Sequence, residues 1–240
     1  MAFEGIAGPA IFRSSWWATY WTFTLGWSLR AAGREHLPKT GPVILVSNHQ
    51  SHLDPLLVGV VADRPLTYLA RHGLFDNKYF GALIRYYGAT PIVQEMGKGG
   101  LTSTLAAIER KEAVLIFPEG ERTHRGNIQD LKPGISLIIK KSDCPVVPVG
   151  IAGAYQSMPR GRLIPHLNPL FLSDTGCGVA CVYGPAIHTN ELKKLSREDM
   201  LGEIARRIRT CNEQAEQLRR GGNKKTKPPR INTDLNGSIH

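Results

Sequence analysis

The chain has 240 residues, enough for one large domain or two small ones with a sizeable buried core. At 42% hydrophobic and 21% charged it is globular in composition, which excludes a disordered chain and a polytopic membrane protein. Its formal net charge is +10, from 30 Lys+Arg against 20 Asp+Glu, so anionic partners come first to mind.

The first segment, residues 1–32, opens with Glu4 in place of a basic cluster and does not read as a secretory leader. All four tryptophans, Trp16, Trp17, Trp21 and Trp27, lie between Arg13 and Arg30 in a run without charge, joined by Tyr20 and Phe23. On a helical wheel these six aromatics fall within an arc of roughly 160°, with Ser15, Thr19 and Thr22 opposite. The uncharged run is shorter than the roughly 20 residues that span hydrocarbon. Tryptophan at this density suits the headgroup zone. The segment therefore reads as a helix lying in a membrane interface. A helix packed on the domain core and a short spanning anchor are the competing readings.

From residue 33 to 220 the pattern alternates. Val43–Ser47 is an aliphatic, β-branched run and predicts a buried strand. Asp54-Pro55 opens a helix through Val61, with Asp54 as its expected N-cap. A strand at Leu66–Ala70 precedes a helix at Asn77–Tyr87, stopped by Gly88. A strand at Ala89–Val93, a helix at Leu101–Lys111 and a strand at Ala113–Phe117 follow. Gly134–Lys141 predicts a helix, Val146–Ile151 and Val179–Tyr183 two strands, and Ser196–Arg219 a long amphipathic helix. Strands separated by helices of this length indicate one α/β domain with a largely parallel central sheet. Cys144, Cys177, Cys181 and Cys211 are too sparse for a disulfide scaffold and read as reduced thiols. Residues 221–240 have no apolar periodicity and predict a disordered tail. From Arg219 onward Arg219, Arg220, Lys224, Lys225, Lys227 and Arg230 face Asp234 alone, half of the net charge. The tail is either a solubilising segment or a polybasic contact to anionic lipid. No recognition helix or aromatic nucleic-acid block accompanies it, so no nucleic-acid partner is expected.

Open α/β sheets place ligands beyond the carboxyl ends of their strands. Two polar clusters stand there. The first strand runs into Asn48-His49-Gln50-Ser51-His52-Leu53-Asp54, and the strand at 113–117 runs into Pro118-Glu119-Gly120-Glu121-Arg122-Thr123. Brought together across a cleft, they supply a general base, its orienting carboxylate and an anion clamp. There is no G-x-S-x-G, and Gly97-Lys98-Gly99-Gly100 fails the P-loop spacing. The His49/His52 pair is a weak metal pattern, and no metal is expected.

In order and spacing, Asn48-His49-x4-Asp54, Phe117-Pro118-Glu119-Gly120-Glu121-Arg122-Thr123 and Val147-Pro148-Val149 resemble the signature blocks of the glycerolipid acyltransferases, which include the 1-acylglycerol-3-phosphate O-acyltransferases of PlsC type. The resemblance covers about residues 33–161. It implies transfer of a fatty acyl group from acyl-CoA or acyl carrier protein to a lysophosphatidic acid hydroxyl, giving phosphatidic acid. The donor is then a substrate and no cofactor is needed. It also implies His49 as base, Asp54 as its partner, and Glu119, Gly120, Arg122 and Thr123 as the acceptor-binding block. Many members close a second block with arginine, where Gln94 stands here, so Arg71 and Lys98 are the expected substitute cations. Glu121 replaces a common threonine. The alternatives are a different lysolipid or lipid-like alcohol acceptor, or a non-catalytic lipid-binding protein of the same fold. Either way the expected place is the cytoplasmic face of a membrane, held peripherally or monotopically on anionic lipid.

Overall fold

In the computed structural model the described residues are 9–92, 98–162, 164–169 and 176–220, without the side chains of 9–12, 71, 74, 80, 83, 92 and 98. Gln94, the tail 221–240 and the side chains of Arg71 and Lys98 thus lie outside the described residues. Seven strands form one sheet: β1 (Arg30–Ala32), β2 (Val43–Ser47), β3 (Leu66–Arg71), β4 (Ala89–Ile92), β5 (Ala113–Ile116), β6 (Val146–Ala152) and β7 (Ala180–Tyr183). Their order is β1-β7-β6-β2-β5-β3-β4. The five strands from β6 to β4 are mutually parallel, while β7 runs antiparallel to β6 and β1 follows β7. The helices are α1 (Pro9–Trp27), α2 (Asp54–Val61), α3 (Lys78–Tyr86), α4 (Lys98–Glu109), α5 (Gly134–Lys140), α6 (Ala154–Ser157), α7 (Thr189–Lys193) and α8 (Arg197–Arg219).

Every residue of β2 is buried because both sheet faces are covered. Val43 and Leu45 join Val147, Val149 and Ile151 of β6 on one face, over Leu57 and Val58 of α2. Ile44 and Val46 face the opposite cluster, with Ile135 and Ile139 of α5 and Met200, Ile204 and Ile208 of α8. The three α8 residues recur every fourth position, one helical stripe, and each contributes about 1.5–3 kcal/mol on burial. Ser196 caps α8 by accepting from Asp199 N at 3.1 Å. α8 lies so close on β6 that a Cβ on Gly150 would stand 2.1 Å from the amide nitrogen of Asn212, so only glycine fits there.

The N-terminal helix packs on the domain core along one side, the second of its three sequence readings, and leaves large apolar side chains exposed on another. Phe23 and Trp27 are 4% and 8% exposed and belong to the core, and Trp16 donates its indole N–H to Gly59 O of α2 at 3.4 Å. Trp17, Trp21 and Leu25 point outward at 48%, 52% and 45% exposure. The polar side is not turned to solvent as a free-standing helix would have it: Ser15 and Thr19 each hydrogen-bond a tyrosine hydroxyl, of Tyr86 and Tyr87, at 2.7 Å. Those hydroxyls supply partners for Ser15 and Thr19, which are half-buried, while Thr22 stays exposed and bonds Ala18 O of its own helix at 2.8 Å. β1, unrecognised in the sequence, extends the sheet through 30–32, so the sheet crosses into the segment taken to end at residue 32. Among the described residues no helix is long and apolar enough to cross a membrane.

Candidate active site

The site begins where β2 ends. Asn48 is locked to β6 by two amide bonds, donating to Ile151 O at 2.9 Å and accepting from Ile151 N at 2.8 Å. That fixes the direction in which the chain leaves the sheet and presents the next residue, His49. Its ring lies on Phe117, centroids 4.1 Å apart and 18° from parallel, with the side chain 18% exposed. Nδ1 stands 2.8 Å from Oδ2 of Asp54. A buried carboxylate at that distance calls for an N–H on Nδ1, which leaves Nε2 with its lone pair.

Asp54 is fully buried, yet it is not the N-cap expected from sequence. Leu53 holds the cap position in a helical conformation without a side-chain bond, and Asp54 is the first residue of α2. Its carboxylate instead reaches back over the turn. The same Oδ2 that meets His49 also accepts the backbone N–H groups of Gln50 and of Ser51, the latter at 2.7 Å. One oxygen therefore shapes the loop and orients the imidazole together, while Oδ1 has no hydrogen-bond partner among the described residues.

The second cluster grips the first. Glu119 follows β5 and is 1% exposed. One of its oxygens accepts His49 N at 2.7 Å and the other Gln129 N at 2.8 Å. Burial pushes this carboxyl above the ordinary carboxylate range, against the opposing pull of those two N–H groups and of His49. On the other side of the same residue, Thr123 N donates to His49 O at 2.8 Å. The hydroxyl of Thr123 accepts from Arg125 N and Gly126 N, closing its own turn. Glu119 and Thr123, expected in acceptor binding, thus hold the His49 backbone, one through a carboxylate oxygen and the other through its backbone N–H, while the Thr123 hydroxyl is engaged in its own turn. Gly120 takes a φ of +77°, the left-handed region, in the turn closed by its N–H on Phe117 O at 3.0 Å.

Arg122 is half-buried. Burial first, then the charges of Arg122 and His49, hold the His52 imidazole below its ordinary value. The additional negative charge of the block, Glu121, is bound by Arg160 at 3.0 Å, with His124 at 3.6 Å. Sequence reasoning missed Arg160, which lies 39 residues away and carries no local pattern. It also passed over three bracing groups inside the first block. Besides Asn48, these are Gln50, which accepts Tyr155 N at 3.3 Å, and Ser51, whose hydroxyl donates to Met158 O at 2.8 Å. The signal was present: polar residues at a buried strand end need partners. Of the expected substitute cations, Arg71 ends β3 and Lys98 begins α4. Among the described residues no three His, Cys, Asp or Glu side chains converge as a metal site requires.

With that geometry in view, residues 28–152 match the family model described as Acyltransferase, more than half the chain. The chain belongs to the acyltransferase family. It is 29% identical over 133 residues to a chloroplastic 1-acyl-sn-glycerol-3-phosphate acyltransferase of Brassica napus, covering 54% of this chain and 38% of that one. Against the 1-acyl-sn-glycerol-3-phosphate acyltransferase of Bacillus subtilis (strain 168) it is 27% identical over 136 residues, 56% of this chain and 65% of that one. The Saccharomyces cerevisiae protein of the same name is 26% identical over 191 residues, 77% and 58% of the two chains. The acyltransferase thus spans between about a third and two thirds of the length of these relatives. Its fold is like that of the crystal structure of the 1-acyl-sn-glycerophosphate (LPA) acyltransferase PlsC from Thermotoga maritima. The TM-score is 0.67 at 22% identity, over 91% of this chain and 80% of the other.

Proposed function

We propose that the protein transfers a fatty acyl group from a thioester donor, acyl-CoA or acyl carrier protein, to the free hydroxyl of lysophosphatidic acid, releasing phosphatidic acid and a thiol. The observation that carries this reading is His49, oriented through Nδ1 by Asp54 and left with Nε2 as a base at the carboxyl end of the sheet. An alcohol of pKa about 15 must lose its proton as it attacks, and an imidazole near 6.5 is a competent acceptor at neutral pH. The hydroxyl oxygen forms the new ester bond to the acyl carbon as Nε2 takes the proton. The carbon–sulfur bond then breaks, and the imidazolium returns the proton to the departing thiolate. Asp54 stabilises the imidazolium between those steps and keeps the tautomer. No serine or cysteine is acylated. Arg122 offers a planar fork of donors for the acceptor's phosphate. Glu119 and Thr123 are positioning residues, acting through the His49 backbone.

Support for the acceptor comes from the names of the relatives, three 1-acyl-sn-glycerol-3-phosphate acyltransferases. The outer stripe of α1 suits peripheral contact with the bilayer that holds such an acceptor. The test is purified protein with acyl-CoA and acyl-carrier-protein donors against a panel of lysolipids, reading thiol release. Turnover with lysophosphatidic acid above all other acceptors supports the assignment. Preference for another lysolipid moves the acceptor, and no thiol release with any pair overturns the reaction.

A further inference from the structure

The segment after α6 carries an unusual surface. Ile164 is 79% exposed and Leu167 52%, although the backbone on both sides of Leu167 is held by hydrogen bonds. His166 N donates to Ser157 O at 2.7 Å, and His166 O accepts the indole N–H of the core residue Trp27 at 2.8 Å. Asn168 N donates to Gly26 O at 2.8 Å, and Asn168 O accepts from the Ser28 hydroxyl at 2.8 Å. The backbone groups of His166 and Asn168 are therefore spent inward, on α6 and the end of α1, while Ile164 and Leu167 are exposed. Such an arrangement suits contact with lipid, where an unsatisfied peptide group is costly.

Two continuities fix what this surface adjoins. A Cβ placed on Gly26 would meet Leu167 Cδ2 at 3.8 Å, so Leu167 lies against α1 beside Leu25, the last residue of the exposed stripe Trp17–Trp21–Leu25. At its other end the segment touches both catalytic loops. Ser51, two residues from His49, bonds Met158 O, and Arg160 bonds Glu121. Two cations precede the apolar pair: Arg160, and Arg162, which is exposed and hydrogen-bonded to His166. Exposed apolar side chains next to arginines fit an anionic lipid surface better than a neutral protein face.

We propose that residues 158–162 and 164–169 form a second membrane-contacting element, the lipid-facing lip of the active-site mouth, which binds an anionic bilayer together with the outer stripe of α1. The lip rests on the reading of the protein as an acyltransferase of bilayer lipids, and it adds how the mouth is seated. The helix alone leaves the molecule free to roll about the α1 axis; a second contact beside Trp27 holds the His49 loop at the lipid surface.

The experiment compares full-length protein with I164E/L167E and W17E/W21E in flotation with vesicles of equimolar phosphatidylglycerol and phosphatidylcholine. Acylation of a long-chain acceptor in those vesicles, and of a short-chain, monomeric lysophosphatidic acid in water, is measured alongside. The lip variant is expected to need at least about tenfold more lipid for half-binding. Its turnover should fall on the vesicle acceptor and stay within about twofold of wild type on the soluble one. The I164V/L167M pair should bind as wild type does, and an unchanged unfolding midpoint excludes a folding defect. If I164E/L167E floats as wild type while W17E/W21E is lost, the lip is wrong and the acyl-transfer reading stands. Absence of acylation of either acceptor by wild type sinks the proposed reaction, and flotation still decides the lip.

Discussion

Around His49 the interior is polar, and along the outer side of α1 the surface is apolar. Asn48, Ser51, Asp54, Glu119 and Thr123 are all buried, while Trp17, Trp21 and Leu25 are exposed. Each region reverses the ordinary placement of its side chains. Buried polar groups cost about 1–3 kcal/mol each when unpaired, which is why nearly every one here meets a backbone N–H or C=O. Exposed apolar area forfeits about 25 cal/mol per Å² that burial in the fold would have gained. The two reversals teach different things. The polar interior spends its hydrogen bonds on one geometry, that of the His49 loop. The apolar exterior is assigned instead to the bilayer contact proposed above.

The largest expected effect lies in the polar region. His49→Ala removes the proton acceptor and should lower turnover by roughly 10³-fold. Its side chain is partly exposed and its backbone is held by Glu119 and Thr123, so the unfolding midpoint should hardly move. Thiol-release kinetics and thermal unfolding on the same sample check both. Retained turnover would mean that the base is elsewhere.

Asp54→Asn is next, and the structure makes it a cleaner test than a cap argument could. All three donors meet one oxygen, so an asparagine carbonyl in that place keeps every bond. The amide nitrogen takes the position of Oδ1, which has no hydrogen-bond partner among the described residues. Shape and tautomer persist and only the charge is lost. Turnover should fall by roughly 10²-fold through the unstabilised imidazolium, with little change in KM. Near-normal turnover would reduce Asp54 to a brace.

Glu119→Gln attacks the grip on the loop from below. An amide offers one carbonyl where two backbone N–H groups need acceptors, so one N–H faces an NH2 group. The fold should lose about 1–3 kcal/mol, read by denaturant unfolding. The gap should depend on pH with a definite sign. Because the native carboxyl is raised, the folded state binds more protons than the unfolded one between the ordinary value and the raised one. Wild type therefore loses stability relative to Glu119→Gln as pH climbs from about 4.5 through that window, and the gap narrows. A gap that widens with pH would show the two N–H groups outweighing burial.

Much of this was legible in the sequence because it is local. β2, whose five residues are buried on both faces, was read to the residue from its aliphatic run. The His49–Asp54 pairing follows from a five-residue spacing within one strand-to-helix turn. Asp54 was misplaced as a cap because Asp before Pro carries that local meaning, whereas the real partners lie in the turn behind it. β1 is three residues long and owes its pairing to β7, some 150 positions away, so no periodicity marks it. Arg160 and the segment at Ile164 escaped for the same reason. Their significance comes from loops that chain order keeps apart.

The smallest expected effect on the fold belongs to the apolar region and separates it from the core it adjoins. Trp21 is 52% exposed and lies two residues before the core residue Phe23. Trp21→Ser should therefore change stability by no more than about 0.5 kcal/mol, as surface substitutions do. If the outer stripe faces lipid, the same change should weaken binding to vesicles several-fold. The loss should be similar at low and high salt, because apolar burial is not screened as a cation's attraction is, over a Debye length of about 8 Å at physiological strength. Flotation across a salt series, beside chemical unfolding, reads both quantities. A marked loss of stability with unchanged flotation would place Trp21 with the core, and the contrast between the two regions would then reduce to packing alone.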